Sequence, residues 1–161
     1  MMTAKLLGLT LLGSASLIAT AASAETVSDG GRKFTTPMSG AEECSNATPP
    51  VCGVGDPDGS ATGSITVNVG QDRVCWEFTN VTNIGVPHRA HIHRAPAGTN
   101  GGIVVDFFNG VAGTQGPLTG CTTTPLSRDV LTDLIRNPSA YYLNLHNADF
   151  PAGAVRGQLE K

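Results

Sequence analysis

Apolar and polar side chains alternate with a period of two along several short stretches of this chain. Ile65, Val67 and Val69 alternate with Thr66 and Asn68; Val74, Trp76 and Phe78 alternate with Cys75, Glu77 and Thr79. Neighbouring side chains on a strand point to opposite faces, so each stretch predicts a half-buried strand. The turn residues Gly70-Gln71-Asp72 join the two as a hairpin, with Trp76, the only tryptophan, as a core anchor. Further strands are predicted over 33–41, 88–94, 102–108, 141–146 and 154–159, the last two forming a hairpin across Asp149-Phe150-Pro151-Ala152-Gly153. Only 127–137 has the helical period. There Ser127 stands as N-cap, Asp129 lies in the first turn, Leu126 and Leu131 form a hydrophobic staple, and Pro138 is the stop. Val130, Leu131, Leu134 and Ile135 make its apolar stripe. The fold class is all-β: an antiparallel sandwich, immunoglobulin-like or Greek-key, or a partly closed barrel, with one short α-helix.

Two of these strands carry chemistry. In Arg89-Ala90-His91-Ile92-His93-Arg94 the two histidines share a face with Arg89, opposite Ala90 and Ile92. In Tyr141-Tyr142-Leu143-Asn144-Leu145-His146 the leucines share one face, while Tyr142, Asn144 and His146 share the other. If the two lie side by side with apolar faces inward, three of the four histidines meet.

Residues 1–24 read as an export signal: Lys5 supplies the positive end, 6–19 the apolar run, and Ala22-Ser23-Ala24 a small-residue cleavage site before Glu25. The run is too short and too rich in small residues for a comfortable membrane span, and no later segment approaches it, so no transmembrane segment is expected after cleavage. Residues 25–32 would be a linker and 33–161 a single domain. The expected location is secreted or periplasmic. The chain's net charge of −3 falls by one more unit when Lys5 leaves with the signal. That balance gives no support to nucleic-acid binding. Four cysteines in an exported chain, none in a C-x-x-C spacing, read as two structural disulfides. Three pairings are possible. The favoured one joins Cys44 to Cys52 and Cys75 to Cys121.

The chain resembles the CHRD domain, the module named after chordin. The likeness rests on Met38-Ser39-Gly40-Ala41-Glu42-Glu43, and on Ala90-His91-Ile92-His93 followed by Ala97-Gly98-Thr99-Asn100-Gly101-Gly102-Ile103-Val104. It continues in Tyr142-Leu143-Asn144-Leu145-His146, which runs into Pro151-Ala152-Gly153-Ala154-Val155-Arg156-Gly157-Gln158-Leu159. The Cys44 to Cys52 loop is a departure, since it separates Glu43 from Pro49-Pro50. The resemblance implies an exported β-rich module with no established enzymatic activity and no agreed ligand.

Two functional readings of the histidine face follow, beside a purely structural one in which the imidazoles hydrogen-bond loop backbones. In the first, an anionic or carbohydrate-like ligand, or a protein partner, docks on a polar patch of Arg89, His91, His93, Arg94, Asn144, His146 and Arg156. In the second, His91, His93 and His146 hold one copper or zinc ion, with His88 a poorer fourth and Asp106 accepting from a ligand's free N–H. The His-x-His strand is also similar to the copper strand of copper-zinc superoxide dismutases. Four histidines are too few for their dinuclear centre. Catalysis has no motif behind it. Ser39 and Ser127 lie in no nucleophile elbow, and Asp106 and Asp149 are single acids rather than a glycosidase pair.

Overall fold

A computed structural model describes residues 30–161. The expected export signal, with most of the linker, lies outside the described residues. The domain is one eight-stranded antiparallel sheet, curled nearly into a barrel, with one α-helix. Its strands are β1 (Arg32–Ser39), β2 (Ser60–Asn68), β3 (Arg73–Thr82), β4 (Arg89–Arg94), β5 (Ile103–Asn109), β6 (Thr119–Cys121), β7 (Tyr141–His146) and β8 (Val155–Gln158). They lie in the order β5-β4-β7-β8-β1-β2-β3-β6. The halves of the expected sandwich are thus two sides of a single continuous sheet. Its curl is visible where the ends of the order meet inside: Trp76 of β3 stacks on Phe107 of β5, with ring centroids 4.9 Å apart. The Trp76 indole N–H is satisfied by the Pro117 carbonyl at 2.9 Å.

The period-two pattern explains what fills the interior. Ile65, Val67, Val74, Ile92, Leu143 and Leu145 are all buried within one core, each worth roughly 1.5–3 kcal/mol relative to exposure. The helix α1 (Arg128–Arg136) adds Leu131 and Leu134 to that core, both fully buried. Two details of the helix differ from expectation. The Ser127 side chain makes no capping hydrogen bond, and Val130 and Ile135 are only half-buried. The entry is fixed instead by an ion pair from Arg128 to Asp72, Nε to Oδ1 2.6 Å, which lends the first turn a tertiary partner.

β6 has no counterpart among the expected strands. It is three residues long in a threonine- and glycine-rich stretch, too short to show a period. What holds it is the opposition of Cys75 and Cys121 in the β3–β6 ladder, and these two are disulfide-bonded, as are Cys44 and Cys52. The loops closed span 46 and 8 residues. In the chain-entropy account, Cys75→Ala with Cys121→Ala should cost about 4 kcal/mol and Cys44→Ala with Cys52→Ala about 2.5 kcal/mol. Equilibrium denaturant unfolding of both double variants tests that ranking; equal midpoints would contradict it.

β4 and β5 do not pair in simple register. Ala90 lies opposite Phe108, but His91 lies opposite Asp106, so Phe107 is an extra residue on β5. A second shift follows between Ile92 and His93. The first bulge lets Phe107 turn inward to Trp76 and at the same time sets an acid, rather than an aromatic ring, against His91.

Candidate metal site on the outer face

β4 and β7 are neighbours, and their register pairs Arg89 with His146, His91 with Asn144, and His93 with Tyr142. Directly opposed residues share a face, so the polar positions of both strands form one surface while Ala90, Ile92, Leu143 and Leu145 face the core. The surface is covered, not open. The loop 95–101 and the turn 147–153 lie over it, and His91, Asn144 and His146 are buried.

Two of the three imidazoles are oriented by a backbone acceptor on the outer side. The His93 Nδ1–H donates to the Gly101 carbonyl at 2.9 Å, and the His146 Nδ1–H donates to the Pro151 carbonyl at 3.1 Å. Because a carbonyl can only accept, those bonds fix the protons on Nδ1 and leave both Nε2 atoms as lone pairs. The His93 Nε2 is buried and has no hydrogen-bond partner. The His91 Nδ1 lies 3.0 Å from the His146 Nε2, while the His91 Nε2 faces the Asp106 carboxylate at 3.8 Å. One nitrogen from each of the three rings thus falls within 4.8 Å of the other two. His93 is held in place from the other side by Tyr142, stacked parallel at 4.8 Å, and the Arg156 guanidinium lies over the Tyr142 ring at 3.4 Å.

Electrostatics keep this cluster uncharged. Burial, then the neighbouring His93 and Arg89, pushes the His91 pKa down to about 4. Burial, then His91, does the same to His146, also to about 4. His93 is lowered too, chiefly by burial. Neutral imidazole is the form that ligates metals.

The remaining expected residues are distributed unevenly. Asn144 and Arg156 join the histidine face, Arg156 opposite Asn144 on β8. Its donors are used internally: Nη1 reaches the Thr99 carbonyl at 2.8 Å and Asn100 Oδ1 at 3.2 Å, and Nη2 reaches the Pro96 carbonyl and Gln158 Oε1, both at 3.1 Å. Arg94 turns to Asp133 at 2.8 Å, on the helix side. Arg89 is exposed beside the cluster. His88 is buried just before β4, and its Nδ1 has no hydrogen-bond partner. It lies outside the group of three.

The family model for the CHRD domain matches residues 34–159. This chain belongs to the CHRD domain family. No match to it was found among curated proteins or among solved structures. The matched span of the CHRD domain contains every residue of the histidine cluster and both disulfides. It also contains Glu43, which sequence reasoning had not singled out for the site. Only 3% of Glu43 is exposed, and one carboxyl oxygen has no hydrogen-bond partner. Burial raises its pKa to about 7, against the opposing pull of Arg156 and a hydrogen bond with Asn144. Nothing in the pair Glu42-Glu43 distinguishes the buried acid from the exposed one. The Gly101 and Pro151 carbonyls are equally invisible in a string of side chains.

Proposed function

We propose that this CHRD domain is a binding module acting outside the cytoplasm, and that its ligand is a single Cu(II) or Zn(II) ion held by His91, His93 and His146. The observation that carries the reading is the arrangement of the ring nitrogens: inner atoms converge, and each outer atom faces Asp106, Gly101 or Pro151. Outer acceptors of this kind set tautomers and raise ligand basicity at metal sites. Without a cation the arrangement is frustrated. If the proton between His91 and His146 sits on the His91 Nδ1, then the His91 Nε2 turns a lone pair toward the Asp106 carboxylate. A cation among the inner nitrogens allows every outer nitrogen to keep its proton.

Export is supported by the leader-like residues 1–24 and by the two disulfides, which persist in oxidising compartments. Among the described residues no helix is long and apolar enough to cross a membrane. The reading of this face as an anion, glycan or protein patch has weaker support, since Arg94 and Arg156 use their donors within the domain.

Calorimetric titration of oxidised, metal-stripped protein with Cu(II) and Zn(II) tests the metal reading. Submicromolar 1:1 binding is expected, weakened about 100-fold or more by His146→Ala. Wild-type binding weaker than micromolar, or affinity indifferent to that substitution, would refute it.

A further inference from the structure

Asn144 lies at the centre of the cluster. It is 1% exposed, opposes His91 on β4 and Arg156 on β8, and its Oδ1 stands 3.1 Å from the His146 Nε2. His91, His93 and the Glu43 carboxyl are within its hydrogen-bonding reach. A primary amide has an end that only accepts and an end that only donates. A carboxyl group keeps an accepting oxygen whether or not it is protonated, so Glu43 can take the NH2 end, and the amide oxygen is set toward the imidazoles.

That oxygen has no donor to meet at His146. The His146 Nε2, already fixed as a lone pair by the Pro151 carbonyl, cannot donate to it. Two acceptors 3.1 Å apart in a buried site repel unless something positive lies between them. Tetrahedral coordination with metal–nitrogen and metal–oxygen distances of 2.0–2.2 Å separates ligand atoms by roughly 3.3–3.6 Å. The 3.1 Å from Asn144 to His146 and the 3.0 Å from His91 to His146 are close to two edges of such a tetrahedron.

Glu43 is built in for this position. Its carboxyl lies against Gly153, at φ +148°, where a Cβ would collide with the carboxyl atoms, and its Cγ lies against Gly55. The acid is therefore seated in a cradle of two glycines with Arg156 supplying the compensating charge.

We propose that the side-chain oxygen of Asn144 is the fourth ligand of the ion, and that Glu43 is a positioning residue that sets which end of the amide faces the metal. The inference rests on the three-histidine reading and narrows it to an N3O donor set. Such a set suits Cu(II) and Zn(II) and disfavours Cu(I), which prefers softer ligands.

The test uses the oxidised domain with Zn(II) for NMR and Co(II) as a spectroscopic probe. In the wild type, Zn(II) should shift the Asn144 Cγ resonance at one equivalent; a resonance that stays put while Zn(II) binds overturns the ligand assignment. Asn144→Leu, checked for native melting, should weaken Zn(II) at least 10-fold and change the Co(II) visible spectrum. Wild-type affinity and spectrum in that variant would also overturn the assignment. Glu43→Gln, nearly isosteric, should weaken Zn(II) about 10-fold and alter the Co(II) spectrum, because a neutral amide no longer dictates the orientation of Asn144. Weakened binding with an unaltered spectrum would reduce Glu43 to a distant charge and overturn its positioning role. Failure of the wild type to bind any ion would sink the three-histidine reading and this inference together. Binding lost in His146→Ala but kept in Asn144→Leu would sink this inference alone.

Discussion

Replacing Arg156 by methionine is expected to destabilise the domain by about 3–5 kcal/mol, the scale for removing one partner from a buried charged network. The side chain is 1% exposed and holds the 95–101 loop through the carbonyls of Pro96 and Thr99 and the side chain of Asn100. Asn100 in turn donates to the Asn46 side chain, at 3.1 Å, and to the Cys44 carbonyl. One guanidinium thus ties the cover of the histidine site to the Cys44–Cys52 loop. Methionine keeps the apolar volume against Tyr142 but supplies no donor, so the carbonyls lose their partners and Glu43 loses its compensating charge. Lysine should recover only part of the loss, because it lacks the planar fork that reaches four acceptors and stacks on a ring. Denaturant unfolding at neutral pH provides the check. A loss below about 1 kcal/mol for Arg156→Met would mean that water replaces the guanidinium and that the network is not what holds the loop.

Acid should unfold the metal-free domain through the same face. His91 and His146 have folded pKa values of about 4, below the ordinary value of 6.5. Depressed histidines contribute stability that is present above pH 6.5 and is lost as pH falls toward 4, since the unfolded chain takes up protons that the native state refuses. Glu43 acts in the opposite sense. Its folded pKa is raised from 4.5 to about 7, so its contribution is fully present below pH 4.5 and is lost as pH rises through 7. Between pH 6.5 and 4.5 these two histidines, with His93 lowered in the same direction, therefore oppose one acid. The net uptake on unfolding is at least about one proton, or roughly 1.4 kcal/mol of stability lost per pH unit. Glu43→Gln removes the opposing effect and should steepen the slope by about one further proton over the same interval. Unfolding free energies at pH 6.5, 5.5 and 4.5 for both proteins decide this. A slope near zero in both proteins would show that the imidazoles are not held neutral by burial, and the same non-zero slope in both would show that Glu43 is not held protonated. Bound metal should flatten the upper part of the profile, because ligated imidazoles do not protonate until the ion leaves.

The strands of the domain could be read from short-range pattern because alternation is a property of each strand alone. β1, β4, β5, β7 and β8 begin and end within two residues of the segments that predict them, whereas β2 starts five residues before its alternating segment and β3 runs three residues past its own. The face shared by His91, His93, Asn144 and His146 follows from the same parity once β4 and β7 are adjacent, and their apolar faces demand that they bury the same side. β6 was not legible because three residues carry no period, although the Cys75–Cys121 pairing located its partner. The absent side-chain bond at Ser127 illustrates a related limit. A good capping residue is necessary for the motif but does not make the bond, and here the helix start is tied to Asp72.

Sequence by itself therefore determined the all-β class, the helix position, the polar and apolar face of each strand and the set of three histidines, since all of these depend on neighbours along the chain. Tertiary structure decided what surrounds them. The bulge that brings Asp106 opposite His91, the Gly101 and Pro151 carbonyls that fix two tautomers, the turning of Arg94 to Asp133, and the burial of Glu43 beside Asn144 all involve atoms far apart in sequence or belonging to the backbone. Hydrogen-bond partners and desolvation are properties of a place in the folded protein, and no local pattern of side chains encodes them.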